Sequence, residues 1–344
     1  MAITDIWLER LLKGMSHSYK PIVILAIIDE CADLETGLKN QSLSRPQFIS
    51  KEKIVRRVSK FFWKIEENFR LEHGPTKNNI HEKIKDCIEK QKGLEQNSTQ
   101  KNNSKPWGTR KKWNKVWRIM EEKPSGGTST STVEKIWKTL RDQPLKHFQG
   151  TKHKNVLYSY SVQGIEIPQD SFSSLIHNKK LLRFVATSRL ASFLETMNPA
   201  APRIFQKIEF GIGTKTRTIP KWMKKVLTKH HSPIECYICG DTIPGTPDWD
   251  HVIPFSFIGT NDLWNLMPSC GPSSGTQHNC NQVKSDSKPE DDQVKRAQKR
   301  NEELLNEIKK QKLVCKAEWL EMAEKELNHS INRHSLDTFF QLMA

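Results

Sequence analysis

This chain has no apolar run long enough to cross a bilayer. Its longest, Pro21 to Ile28, covers eight residues, where a helical span needs about 20. The opening MAITDIWLERLLKG carries acids and no long apolar core, so it does not read as a secretory signal. The expectation is a soluble, cytoplasmic protein with no membrane partner. Seven cysteines in 344 residues are too few for a disulfide scaffold, and in a reducing compartment they read as thiols or metal ligands. No repeat of fixed period is visible. Acid is the minority charge: Asp+Glu number 39 against 55 Lys+Arg, a formal net charge of +16. That imbalance favours a polyanionic partner, nucleic acid first and an anionic membrane surface second.

Hydrophobic residues make up 35% and charged residues 27%, enough for real cores joined by polar linkers. The length suits two or three domains. Residues 1–92 read as a helical, winged-helix-like N-terminal domain. Ile6, Leu8, Leu11, Leu12 and Met15 have helical spacing. Pro21 suits a first helical turn, and the run after it is apolar nearly all round, so that helix should be buried. Phe48 to Phe69 is an amphipathic run with Ile54, Val58, Phe61, Phe62 and Ile65 on one face. Residues 93–132 are a polar, basic, Trp-bearing linker region around a short helix from Arg110 to Met120. Residues 133–230 read as a middle α+β region, with a strand pair at Val156–Val162 and Gly164–Ile167 and helix over Leu175–Met197. Residues 290–344 form a helical tail, with Leu304, Leu305, Ile308 and Leu313 as its apolar stripe.

The densest chemistry lies in residues 231–289. Cys236-x-x-Cys239-Gly240 is a tight turn that points two thiolates at one ion, and Cys270 and Cys280 supply a second pair. Four thiolates make a closed tetrahedral site, the donor set of structural Zn²⁺; His278 is an alternative to Cys280. Cys31, Cys87 and Cys315 sit in helical patterns and read as packed thiols.

Trp249-Asp250-His251-Val252-Ile253 has strand character up to Pro254, and Asn265-Leu266-Met267-Pro268 is a second short strand. Asn281-Gln282-Val283-Lys284 begins a helix with Asn281 and Lys284 on one face. On a strand Asp250 and His251 point to opposite faces, so a strand end or local distortion must bring both to one phosphate. Phosphodiester hydrolysis needs an activated water and relief of charge on the pentavalent phosphate. His251 titrates near neutrality and is the candidate general base. Asp250 and Asn281 offer hard oxygen ligands for one Mg²⁺ or Mn²⁺. Asn265 can bond backbone across the intervening loop, and Lys284 can meet a neighbouring phosphate.

In DHVIPFSF, LWNLMPSC and NCNQVKSD the segment resembles the HNH, or ββα-metal, nuclease motif. It is most similar to the HNH modules of restriction-type endonucleases and also resembles the HNH domain of RNA-guided CRISPR nucleases. The resemblance makes His251 the general base, Asp250 and Asn281 the metal ligands and Asn265 the loop-orienting residue. Asn281 stands where many members have His, and the insert between Cys270 and Cys280 is longer than the usual two-residue spacer. The resemblance covers about fifty residues and implies 5′-phosphate and 3′-hydroxyl products. The segments WLERLLKGMSHSYKPIVILAIID and LASFLETMNPAAPRIFQKIE loosely resemble regions that precede HNH modules in restriction-like proteins.

Trp107, Arg110, Lys111, Lys112, Trp113, Lys115, Trp117 and Arg118 interleave aromatics with cations. That pattern fits a nucleic-acid clamp, but Trp113 and Trp117 are four apart, which favours a helix packed on a core. Tyr19 and Pro21 are expected in core too. His17, His177, His230 and His231 have no partner at ligand spacing and read as surface or packed histidines.

The expected fold is α+β, multi-domain and mainly helical, with a zinc-bound ββα-metal module in the C-terminal half. The expected activity is Mg²⁺- or Mn²⁺-dependent cleavage of double-stranded DNA, in restriction or antiviral defence. A paired copy would let each subunit cut one strand, whereas a monomer would nick. An RNA-cleaving, toxin-like nuclease and a non-catalytic zinc-dependent nucleic-acid-binding protein are the alternatives. A gating partner encoded in a defence operon is left open.

Overall fold

The computed structural model describes residues 2–14, 17–37, 45–74, 79–96, 110–123, 130–149, 155–199, 201–213, 218–229, 234–277, 279–280, 289–314 and 317–333. Among the described residues the fold is mainly helical, with two small antiparallel sheets. It divides into two compact units, Met1–Lys215 and Thr216–Ala344.

The first unit is built around a buried helix. Helix α1 (Ile3–Leu12) leads into α2 (Tyr19–Gly37), with Pro21 in its first turn. Every residue from Ile22 to Ile28 is at most 2% exposed, as the all-round apolar run predicts. At its polar end α2 is tied by side chains. Glu30 Oε1 accepts from Arg57 Nε at 2.9 Å, Asp33 pairs with Arg57, and Asp29 pairs with Arg183. Burial pushes the Asp29 carboxyl up, because Arg183 and Arg57 only partly offset its desolvation.

Strand β1 (Gln47–Ser50) runs straight into α3 (Lys51–Phe69). Helices α4 (Asn79–Gln96), α5 (Arg110–Glu121) and α6 (Thr132–Leu140) pack around α3. Trp113, Val116, Trp117 and Met120 of α5 are buried, and the rings of Trp63, Trp113 and Trp117 lie 5.5 and 5.9 Å apart in sequence. The α5 tryptophans are core, as their four-residue spacing favours. A short α7 (Lys146–Gln149) precedes strands β2 (Ser159–Tyr160) and β3 (Gly164–Ile167). Then follow α8 (Gln169–His177), α9 (Lys179–Met197) and α10 (Ile204–Gly211).

The three-stranded sheet has order β1-β3-β2, with Gln47 opposite Ile167 and Ser50 opposite Gly164. A Cβ at Gly164 would come within 2.3 Å of the Ile49 carbonyl oxygen, so this crossing needs glycine. Because β1 finds its partner more than a hundred residues away, residues 1–92 are not self-contained. Together with most of residues 93–230 they make one unit, which ends at Lys215.

The second unit opens with α11 (Lys221–Lys229). A hairpin follows, of β4 (Asp248–His251) and β5 (Leu266–Ser269), joined through the one-turn α12 (Phe255–Ile258) and a 3-10 turn at Leu263–Asn265. Helices α13 (Asp291–Val314) and α14 (Glu318–Arg333) close it. These last helices share a core with the hairpin: Val226, Ile253, Leu263, Leu266, Ile308 and Leu327 belong to one buried cluster. The segment expected as a tail is therefore part of the unit's core. Leu304, Leu305 and Ile308 are buried, but Leu313 is 89% exposed, so the apolar stripe stops a turn earlier than its spacing suggests. No helix among the described residues is long and apolar enough to cross a membrane.

Candidate metal centre and adjoining strand

The four cysteines expected as ligands come together. The Sγ atoms of Cys236, Cys239, Cys270 and Cys280 all lie within 4.8 Å of one another, and Cys239 Sγ is 3.7 Å from Cys270 Sγ. The first pair sits on a tight loop. Glu235 and Thr242 form a bridge, Gly240 N donates to Cys236 O at 2.8 Å, and Cys236 N donates to Asp241 O at 2.8 Å. Gly240 turns the chain at φ +85°, a conformation that costs a side-chain-bearing residue about 1–2 kcal/mol.

The second pair is delivered by β5, which ends just before Cys270, and by the insert that follows. That insert folds back onto the loop before β4: Gly245 N donates to Ser274 O at 2.8 Å and Thr246 N to Ser273 O at 2.9 Å. Its extra length over the usual spacer is thus taken up by a structured turn, and the four sulfurs still converge.

The thiols differ in character. Burial raises Cys236, but N–H groups of Cys239, Cys270 and Ile238 outweigh it and bring the thiol below its ordinary value. Burial and neighbouring cysteines push Cys239 far up, and burial pushes Cys280 up to about 11. Four thiolates this close repel one another, and a bound cation removes that repulsion. The cluster could therefore hold a metal ion. Among the described residues it is the one such group of His, Cys, Asp or Glu side chains. Cys31 and Cys87, by contrast, are buried free thiols of the first unit.

Asp250 and His251 occupy adjacent positions on β4, opposite Met267 and Leu266. Their side chains have different partners, as strand alternation requires. Asp250 Oδ2 accepts from Tyr237 Oη at 2.9 Å. The His251 ring is 5% exposed and stands edge-on to Phe255 at 5.4 Å. Its Nε2 meets Asn261 Oδ1 at 3.0 Å. This contact fixes the orientation of the imidazole.

Asn265 is fully buried at the end of the 3-10 turn that leads into β5. Its Oδ1 accepts from Ile253 N at 2.8 Å, its Nδ2 donates to Ile253 O at 2.9 Å, and its carbonyl accepts from Val252 N at 3.0 Å. One asparagine therefore locks the two residues that follow His251. Asn281 and Lys284, the helix expected to carry them, and His278 lie outside the described residues.

Three side chains absent from the sequence reading contribute to this geometry. Tyr237, between the paired cysteines, reaches Asp250 and also contacts the His251 carbonyl at 3.4 Å. Its hydroxyl is pushed far above the usual phenol range, first by burial and then by the Asp250 charge, so it stays a neutral donor. Asn261 holds His251. Arg296 of α13 donates to the carbonyls of Tyr237 and Ile238, both at 2.7 Å, and so fastens the cysteine turn to the helical base. The odd aromatic inside the CxxC turn was a visible signal for Tyr237. For Arg296, one of many cations on a charged helix, there was none.

Compared with family models, curated proteins and solved structures, the chain matches none of them.

Proposed function

We propose that the chain is an HNH-type, metal-dependent endonuclease that hydrolyses DNA, of restriction or defence type, with structural zinc on Cys236, Cys239, Cys270 and Cys280. The observation that carries this reading is Asn265. Its paired hydrogen bonds to Ile253 lock the chain directly after Asp250-His251, on a two-stranded hairpin beside four clustered cysteines. The zinc assignment rests on donor chemistry and spacing. Zn–S bonds of about 2.3 Å in a tetrahedron place sulfurs about 3.8 Å apart, and Cys239 and Cys270 stand 3.7 Å apart.

In this reading His251 takes the proton of the attacking water, with its ring held in place by Asn261. Tyr237 holds Asp250 Oδ2 and so orients the carboxylate that would meet a hard cation. Mg²⁺ or Mn²⁺ bound through Asp250 and Asn281 would supply charge relief on the phosphate, and Lys284 would contact a flanking phosphate. The reaction leaves 5′-phosphate and 3′-hydroxyl ends.

Supercoiled plasmid incubated with the protein and Mg²⁺ tests this, beside His251→Ala. Nicking or linearisation that needs Mg²⁺ and falls by at least about 100-fold in the variant is the expected result. Equal cleavage by both proteins would remove His251 from the chemistry. No cleavage of DNA with clear cleavage of RNA would reassign the substrate, and binding without cleavage of either would leave a zinc-dependent binding protein.

A further inference from the structure

Helix α3 turns one face to the core and a different one outward. Ile54, Val58, Phe61, Phe62 and Ile65 are buried. Lys53, Arg56, Lys60 and Lys64 fall at i, i+3, i+7 and i+11 on the opposite side, a single stripe about 16 Å long. Lys53 and Arg56 are exposed, while Lys60 and Lys64 are half-buried. The neighbouring cations on this helix are already engaged: Lys51 by Glu134 at 2.6 Å, Arg57 by Glu30 and Asp33. Lys53, Arg56 and Lys64 make no ion pair with a described carboxylate.

Helix α5 extends the stripe. The Arg56 guanidinium lies over the Trp117 ring at 5.3 Å and donates to Asn114 Oδ1 at 3.3 Å. Arg118, exposed and one turn from Asn114, stands on the same side of α5. The buried tryptophans leave cations, not rings, on this surface. Two ammonium groups even crowd each other: burial first, and then the charge of Lys60, hold Lys64 below the ordinary lysine value. A row of like charges at fixed spacing, with Arg56 pre-set on an aromatic base, matches a polyanion whose charges also repeat along a line.

We propose that the outer face of α3, with Arg118 of α5, is a docking surface for the sugar-phosphate backbone of double-stranded DNA. The surface contacts phosphates and reads no bases, so it contributes affinity without sequence preference. Only the choice of duplex DNA as the polymer rests on the nuclease reading above.

Fluorescence anisotropy with a labelled duplex of mixed sequence tests it, using His251→Ala protein without added Mg²⁺ so that binding is read apart from cleavage. The triple variant Lys53→Gln/Lys64→Gln/Arg118→Gln is compared with Lys13→Gln/Lys295→Gln/Lys299→Gln, which removes the same net charge. The first should weaken binding by at least about 10-fold near 0.15 M salt and flatten the slope of log K against log salt by roughly 2 to 3. The second should bind like the parent. Thermal melts of both confirm folding, since all six side chains point to solvent or are only half-buried. Equal affinity and equal slope in the two triple variants would overturn the proposal, as would a parent protein that binds single-stranded RNA in preference to the duplex. Loss of binding in the first triple variant, in a protein that never cleaves DNA with Mg²⁺, would keep the surface and reject the nuclease. Mg²⁺-dependent cleavage with unaltered binding would do the reverse.

Discussion

Tyr237 joins two sites through a single side chain. Its backbone belongs to the cysteine turn, with N donating to Pro268 O at 2.9 Å and its carbonyl held by Arg296. Its hydroxyl reaches Asp250 Oδ2. A neutral donor that engages one carboxylate oxygen fixes the rotamer of the other. Tyr237→Phe deletes only that donor, and the ring can stay in its buried slot. The expected effect is a loss of roughly 10- to 100-fold in DNA cleavage, with bound zinc and duplex affinity unchanged. Metal analysis and anisotropy on the same preparation check it. Full activity in the variant would show that Asp250 needs no such support.

At the scale of elements, the cysteine turn and the hairpin hold each other. The turn has almost no apolar core of its own: Cys236, Ile243 and Cys270 are its buried cluster, and two of the three are thiols. Small segments of this kind draw their folding free energy from the metal. Cys270 also starts where β5 ends, so an ion held there would bear on the register that sets Asp250 opposite Met267. Stripping the metal with a chelator, or replacing Cys270 by Ser, should therefore abolish cleavage and expose residues 234–280 to protease. Mass spectrometry of the fragments locates the cuts. Cuts confined to residues outside 234–280 in the metal-free protein would mean that the hairpin stands without the ion.

The whole molecule contains two units whose stabilities answer to different reagents. The second carries the cysteine cluster that could hold a metal ion, and on the proposed reading its stability follows that ion. The first carries a buried histidine. His73, with Nδ1 3.2 Å from Ser18 Oγ and its ring 4.7 Å from that of His81, is held well below the usual imidazole value by burial and then by the His81 charge. A depressed histidine takes up a proton more readily in the unfolded chain. Its contribution is intact above the unfolded value near 6.5 and is lost as pH falls from there towards the folded value. Glu66 adds to this lower down. Burial raises its carboxyl, but the hydrogen bond and charge of His81, with Lys85 and Arg70, bring it below 4.5. Its stabilisation is present above 4.5 and fades in stronger acid. Between pH 7 and 5 the unfolding free energy of Met1–Lys215 should fall by up to about 1.4 kcal/mol per pH unit, and His73→Gln should flatten that slope. Urea unfolding at several pH values decides it, and an unchanged slope in the variant would assign the acid sensitivity elsewhere.

Much of the local structure was legible in the residues. The apolar run after Pro21, the amphipathic period of α3, the four-residue spacing of Trp113 and Trp117, and the CxxC turn all describe neighbours within a few positions, where helix and strand periods act directly. The convergence of the four cysteines was equally plain, because a CxxC turn and a second cysteine pair suit one tetrahedral ion. Other features required the chain to be folded. β1 pairs with β3 across more than a hundred residues, the closing helices share the hairpin's core, and Leu313 faces solvent although its spacing says otherwise. Tyr237, Asn261 and Arg296 act on atoms of other segments, and no period in the sequence encodes such a meeting. Residue types and short spacings set which chemistry and which elements were available; only long-range packing chose which side chains met, because that choice depends on the shape of buried surfaces that are far apart along the chain.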